Sequence, residues 1–196
     1  MKKPIIALIL AAVILFAVNT TIREAGFENS WKAHQQLLQT LLPGATEFTV
    51  VEFSSGEDPF ISSVHEADQG FVIEVRTYGY ADYITMLIGV NREGKVTGLV
   101  VRDAYETPGL GGRVLTDHEF LAQFLNKSDT FKVITDGSDA FSGATDQVEP
   151  GQGETVPIDA ITGATVTSKA VTRCVNAAVA YVTGVDAVTE ATSWGG

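Results

Sequence analysis

The run DAITGATVTSKAVTRCVNAAVAY, residues 159–181, starts with small and hydroxyl-bearing residues and passes directly into an apolar stripe. Val171, Val175, Ala178 and Val182 recur at helical spacing, which predicts a helix with Thr165 at its mouth. A helix start presents N–H groups without intrahelical partners and the positive end of the macrodipole. It therefore holds a phosphate without a basic side chain beside it. Gly163 and Ala164 let the backbone come near a bulky ligand, and Thr165 carries its hydroxyl at the phosphate position. Lys169 and Arg173 add positive charge one and two turns further in. Taken alone, Thr162-Gly163-Ala164-Thr165 is also what an ordinary capped helix looks like, since Thr and Ser are common N-caps.

A second chemical stretch is Glu106-Thr107-Pro108-Gly109-Leu110-Gly111-Gly112. Pro followed by Gly suits the two central positions of a type II turn, the second of which needs positive φ, and two further glycines prolong the exposed backbone. A phosphate loop of the nucleotide-hydrolase kind is disfavoured, because no Lys-Ser or Lys-Thr pair follows. Without other context the stretch reads as a plain loop leaving a sheet.

The remaining chain supplies the frame. No charged residue stands between Lys3 and Arg23, and as a helix at ~1.5 Å per residue this run is roughly 28 Å long, close to the hydrocarbon core of a bilayer. An uncleaved membrane anchor over residues 1–24 is expected. A cleaved secretory signal is the competing reading, but Asn19-Thr20-Thr21-Ile22-Arg23 offers no small-x-small cleavage site. Lys2 and Lys3 on one side balance Arg23 and Lys32 on the other, so the short leading end decides the orientation and places the bulk of the chain outside the cytoplasm. Residues 25–186 then form one domain, with residues 187–196 as a tail. Asn29 to Leu42 predicts a helix stopped by Pro43-Gly44.

Five strands follow from their β-branched and aromatic content: Phe48 to Phe53, Phe60 to Val64, Phe71 to Thr77, Tyr83 to Val90 and Val96 to Val101, the last two joined by a turn over residues 91–95. Asp117 to Leu125 reads as a short helix with Phe120, Leu121 and Phe124 inward, and the Gly-, Asp- and Glu-rich residues 136–157 read as a solvated loop. Strands first and helices later give an α+β fold, a mainly antiparallel sheet packed against helices, preceded by one transmembrane helix.

With both motifs in view, the chain resembles the FMN-binding domain family, which includes the G-type flavin protein of the Rnf electron-transport complex and the C-type flavin protein of the sodium-pumping NADH:quinone reductase. Asp159, Thr162-Gly163-Ala164-Thr165 and Thr167-Ser168 match the family's flavinylation motif, and ETPGLG stands at the same place after the hairpin. The match runs from about Trp31 to Val182. The resemblance implies that Thr165 is joined through its oxygen to the phosphate of FMN by a separate flavin transferase that uses FAD. It further implies a flavin-pocket wall in which Thr107, Pro108, Gly109 and Gly111 present backbone and hydroxyl groups to the ring edge and Leu110 covers a ring face. Glu106 either fixes the turn or partners a proton, and Asp159 either orients Thr165 or meets the transferase. A second copy of the pattern, Asp139 to Thr145, is followed by Asp146, Glu149, Pro150 and two glycines. Acidic neighbours and helix breakers favour Thr165 over Thr145 as acceptor.

The formal net charge of −11 argues against nucleic acid and against anionic lipid as partners. Cys174 is the single cysteine, excludes an internal disulfide and falls on the apolar stripe as a core thiol. His34, His65 and His118 are scattered without metal spacing, and no nucleophile elbow or Gly-rich βαβ opening appears. The expected function is an electron relay through covalent FMN within a membrane complex of Rnf type, on an extracytoplasmic domain. The corresponding flavin protein of the quinone reductase, and a flavin-binding sensor or scaffold that carries no current, remain alternatives.

Overall fold

The computed structural model describes residues 30–52, 59–135 and 155–184. The chain divides after Leu38 into two units, and the first is described only over the helical residues 30–38. Helix α1 occupies residues 30–41 and ends at Pro43-Gly44, where Gly44 has φ +89 and Ala45 N donates to Leu42 O at 3.3 Å. The expected span over residues 1–24, the tail over 187–196 and the second motif copy around Thr145 all lie outside the described residues. Among the described residues no helix is long and apolar enough to cross a membrane.

The second unit is built on an antiparallel meander of β1 (Thr49–Val51), β2 (Ile61–Ala67), β3 (Gly70–Tyr78), β4 (Tyr83–Asn91) and β5 (Val96–Ala104), paired in that order. The predicted strands are all present, with ends shifted by a few residues; β2 runs on to Ala67 and β5 to Ala104. Asn91 closes the β4–β5 turn, its Oδ1 accepting from Glu93 N at 3.0 Å and Lys95 N at 2.8 Å. Strand β4 sits between two partners, and alternation divides its side chains. Ile84, Met86, Ile88 and Val90 join the main core, all fully buried. Gly89 lies opposite Gly98 on β5, and the two bare backbones let Leu41 pack flat on the sheet: Thr97 Oγ1 donates to Leu41 O, and a Cβ on Gly89 would collide with that carbonyl.

The main core is completed by helix α4 (Thr165–Thr183), whose Ala170, Val171, Cys174, Val175, Ala177 and Ala178 are buried in it. The predicted stripe is thus the packing face, although Val182 is only partly buried. Gly184 ends the helix in the left-handed conformation at φ +67, donating to Ala180 O at 2.8 Å. Helix α3 (His118–Ala122) is shorter than expected and is capped by Asp117, whose carboxylate accepts from Glu119 N and Phe120 N. Phe120, Phe124 and Phe131 meet edge to face, 5.6 and 5.2 Å apart.

Two elements depart from the sequence reading. The glycine-rich run after Leu110 makes a single helical turn, α2 (Gly111–Val114), and a parallel pair, β6 (Thr130–Ile134) with β7 (Thr155–Asp159), lies apart from the main sheet. Residues 155–157 are therefore strand rather than loop. Pro157 and Lys132, opposite each other, mask the strand signal, whereas Phe131 and Ile158 bury in the core and hold the pair in place. The carboxamide of Asn176 on α4 pairs with the Phe131 backbone like a further strand, accepting from its N at 2.8 Å and donating to its O at 2.9 Å.

Gly89→Ala forces a methyl group into Leu41 backbone and should cost about 1–3 kcal/mol, read as a lower urea midpoint at unchanged m value. Burial pushes the Cys174 thiol up to about 12. The native protein should accordingly resist alkylation at neutral pH and react only once denatured.

Candidate functional site

One end of the sheet, the turn between β3 and β4, the loop after β5 and the start of α4 converge. The β3–β4 turn carries Gly79-Tyr80-Ala81-Asp82 and is closed by Gly79 N donating to Asp82 O at 2.8 Å. It is fixed to α4 through the Arg173 guanidinium, which donates to Tyr78 O at 3.0 Å. Beside it the Tyr78 and Tyr83 rings lie 3.8 Å apart, and Arg76 caps the Tyr83 face at 3.9 Å. The neighbouring Tyr83 hydroxyl raises the Tyr78 phenol above its ordinary value.

The loop after β5 forms the predicted turn. Gly109 has φ +81 and Leu110 N donates to Thr107 O at 3.2 Å, with Gly112 N donating to the same carbonyl at 3.1 Å. Thr107 O is thereby committed inside its own turn. Pro108 and Gly109 are exposed at its tip, and neither they nor Thr107 reach the cleft described below. Glu106 turns inward instead. One carboxylate oxygen accepts from Tyr80 N at 2.7 Å and Ala81 N at 3.3 Å, and the other from Thr167 Oγ1 at 3.4 Å.

The third contributor is the chain between β7 and α4. Asp159 ends β7 with its side chain exposed, and its backbone is gripped at both groups by the Gln123 carboxamide, at 2.8 and 3.2 Å. Thr162 is exposed and Gly163, at φ +78, completes a turn in which Ala164 N donates to Ile161 O at 2.9 Å. Thr165 is the first helical residue. Ala164 precedes it without any side-chain cap, and the first helical bond runs from Ser168 N to Ala164 O at 2.9 Å. The amides of Thr165, Val166 and Thr167 thus precede the hydrogen-bonded ladder, as an anion site requires.

The motif's hydroxyls are not equivalent. Ser168 Oγ is buried, accepts from Ile161 N at 3.2 Å and donates to Ala164 O at 3.1 Å. Thr167 is equally buried and donates to Glu106. Thr165 is half-buried and borders a cleft of ≈ 270 Å³ with Tyr80, Leu110, Gly111, Gly163, Ala164, Val166 and Thr167. Its apolar walls are open to solvent, with Tyr80 65%, Leu110 47% and Val166 49% exposed. A cleft with a helix N-terminus that no side chain caps and with exposed flat or aliphatic walls suits a ligand with an anionic end and a broad aromatic body.

The structure therefore brings together Gly163, Ala164, Thr165, Thr167, Leu110 and Gly111, sets Glu106 and Ser168 behind them, and leaves Asp159, Thr162, Thr107, Pro108 and Gly109 off the lining. Sequence reasoning missed Tyr80 and Val166. The available signals were an aromatic residue on a tight Gly-Tyr-Ala-Asp turn and a Val out of phase with the α4 stripe.

No curated protein sequence matches the chain. A crystal structure of NqrC from Shewanella oneidensis is 22% identical, with a TM-score of 0.44 over 58% of this chain and 53% of that one. At that level the likeness settles nothing about function, and the chain spans about half the length of that protein. Residues 79–180 match the FMN-binding domain family. That range opens at the first residue of the β3–β4 turn, closes within α4 and contains every residue of the cleft. Over half its length, including the whole site, this chain is a member of the FMN-binding domain family.

Proposed function

We propose that the chain is an electron-relay component of a membrane oxidoreductase complex, with FMN held as a phosphoester of Thr165. The observation that carries the proposal is the state of the motif's hydroxyls: Ser168 and Thr167 are buried and bonded inward, whereas Thr165 opens on the cleft beside the unpaired amides of α4. Thr165, Val166 and Thr167 would offer their N–H groups to the phosphate, and Lys169 and Arg173 lie one and two turns along the same helix. Tyr80 and Leu110 would shelter the ring. FMN supplies the redox chemistry when bound; the chain fixes its position and limits its contact with water. A covalent tether also keeps the cofactor on a domain outside the cytoplasm, where a dissociated flavin would be lost.

Residues 1–24 act on this reading as an uncleaved anchor, and the other partners are membrane proteins of an Rnf-type ion-translocating complex and, during maturation, a flavin transferase using FAD. The uncharged run between Lys3 and Arg23 supports the anchor, and the single short insertion region of the sequence favours the G-type protein of Rnf over the C-type protein of the quinone reductase.

Co-expression with a flavin transferase, which would move the FMN half of FAD to Thr165 and release AMP, should give a yellow chain whose mass is raised by one FMN less one water even after denaturation. Thr165→Val should remove that increase without loss of fold, and Thr145→Val should retain it; peptide mapping checks both. A colourless product of unchanged mass overturns the proposal. Thr167→Val should keep the label yet lower stability by about 1 kcal/mol through the lost bond to Glu106, read by urea unfolding. The full chain should pellet with membranes and resist extraction by salt, while deletion of residues 1–24 should give a soluble chain that still takes the label.

A further inference from the structure

The carboxylate of Glu106 lies where two loops meet, and both loops are shaped around it. A Cβ on Gly79, in the β3–β4 turn, would collide with Glu106 Oε1, and a Cβ on Gly111, at the start of α2, would collide with Glu106 Oε2 and Thr167 Oγ1. Gly79 has no left-handed φ that would explain a glycine by itself, so the space its missing side chain leaves to the carboxylate is its structural use. Into that space Glu106 brings three bonds, from Tyr80 N, Ala81 N and Thr167 Oγ1. All three neighbours act as donors toward it. A carboxylate in that setting is an acceptor only.

We infer that Glu106 is a positioning residue: as an acceptor-only latch it ties the Tyr80 turn to the first turn of α4 and so sets the opening of the cleft. The inference rests on the flavin reading for its purpose, but not for its geometry. The turn has one other described tie to α4, Arg173 to Tyr78 O, and this lies before Gly79. Without Glu106 the bonds left to the segment 79–82 among the described residues are Gly79 N to Asp82 O and Tyr83 N to Asp82 Oδ1, and neither reaches Tyr80, which is already 65% exposed. The latch also assigns the last glycine of ETPGLG its use: Gly111 makes room for the carboxylate behind the cleft, as Gly79 does from the other side. On this assignment Glu106 takes no part in proton transfer, because its oxygens are already engaged and it does not line the cleft.

Amide hydrogen exchange on the flavin-free protein tests the latch. Glu106→Ala should speed exchange at Tyr80 and Ala81 by about tenfold or more, the scale of a lost charge-assisted bond, while the β4 core amides keep their protection relative to global unfolding. Glu106→Gln should restore slow exchange: its carbonyl oxygen can take both amides, and its NH₂ can turn to Thr167 Oγ1, which accepts as readily as it donates. Gly79→Ala should speed exchange at Tyr80 in the native background and add less to Glu106→Ala, because its collisions with the Glu106 carboxylate have gone and only that with the flexible end of Ile84 is left. In flavin-loaded protein Glu106→Ala should raise flavin fluorescence several-fold as Tyr80 leaves the ring, and Glu106→Gln should not.

Unchanged exchange at Tyr80 and Ala81 in Glu106→Ala overturns the latch, as does failure of Gln to restore it. A slope of flavin potential against pH that changes in Glu106→Gln would assign the residue a proton instead and overturn the acceptor-only role. Failure of the flavin reading shows separately, as no mass increase at Thr165, while the exchange result on the flavin-free protein stands.

Discussion

The first turn of α4 is anchored on its inner side by hydroxyl groups, and that seat decides what its outer side can do. Ser168 accepts from Ile161 N and donates to Ala164 O, so one side chain staples the turn that precedes the helix to the helix itself. Thr167 is drawn to Glu106. With these two hydroxyls buried and used, the amides of residues 165–167 are left without a side-chain cap, and all three residues line the cleft. An ordinary N-cap would bend a side-chain oxygen onto those amides and satisfy them. Here Ala164 occupies the cap position and leaves them for something else.

The rest of the second unit keeps that turn in place. Helix α4 is buried along ten residues, Thr167 to Val179, against the five-stranded sheet and the β6–β7 pair, so its start cannot shift without disturbing the core. Three ties approach the site from different elements: Gln123 beyond α3 grips the Asp159 backbone, Arg173 reaches Tyr78 O, and Glu106 reaches the Tyr80 turn. Each is a polar side chain bound to backbone groups. Such bonds set position more than they add to stability, since each contributes only about 0.5–1.5 kcal/mol net, somewhat more where a charge takes part. The apolar core supplies the energy, and these ties supply the registration.

How far the chain could be read from its residues follows from the range of each signal. The α4 stripe and the β3, β4 and β5 strands carry their own periodicity, and the turn at residues 91–95 carries its own chemistry, so they were legible. The β6–β7 pair was not. Its strands are short, one contains Pro157, and its partner is distant in sequence, so that only Phe131 and Ile158 mark it and their burial is a tertiary fact. The site divides the same way. Thr165, Gly163, Ala164, Leu110 and Gly111 belong to two motifs that announce themselves, whereas Tyr80 joins them only because the β3–β4 turn arrives at the same end of the sheet. Glu106 was visible as a residue, but its partners lie 25, 26 and 61 positions away, beyond any local pattern. Asp159 shows the limit from the other side: the motif includes it, yet the fold leaves its side chain exposed and holds only its backbone.

On the proposed reading, charge gives a reason for a covalent bond at such a site. The chain carries a formal net charge of −11, and a flavin phosphate adds more of the same sign. A helix N-terminus offers about 0.3–1 kcal/mol to an anion, and up to about 2 kcal/mol when partly buried. At about 1.4 kcal/mol per factor of ten, the best of these is worth roughly thirtyfold in affinity, and screening by salt reduces it. The cleft is open and its apolar walls, Tyr80, Leu110 and Val166, are about half exposed or more, so burial of a ring there would recover only part of what an enclosed pocket would give. On the proposed reading an ester at Thr165 removes the requirement for tight reversible binding. The open cleft can then leave the ring edge accessible to a redox partner, which a deeper pocket would have covered.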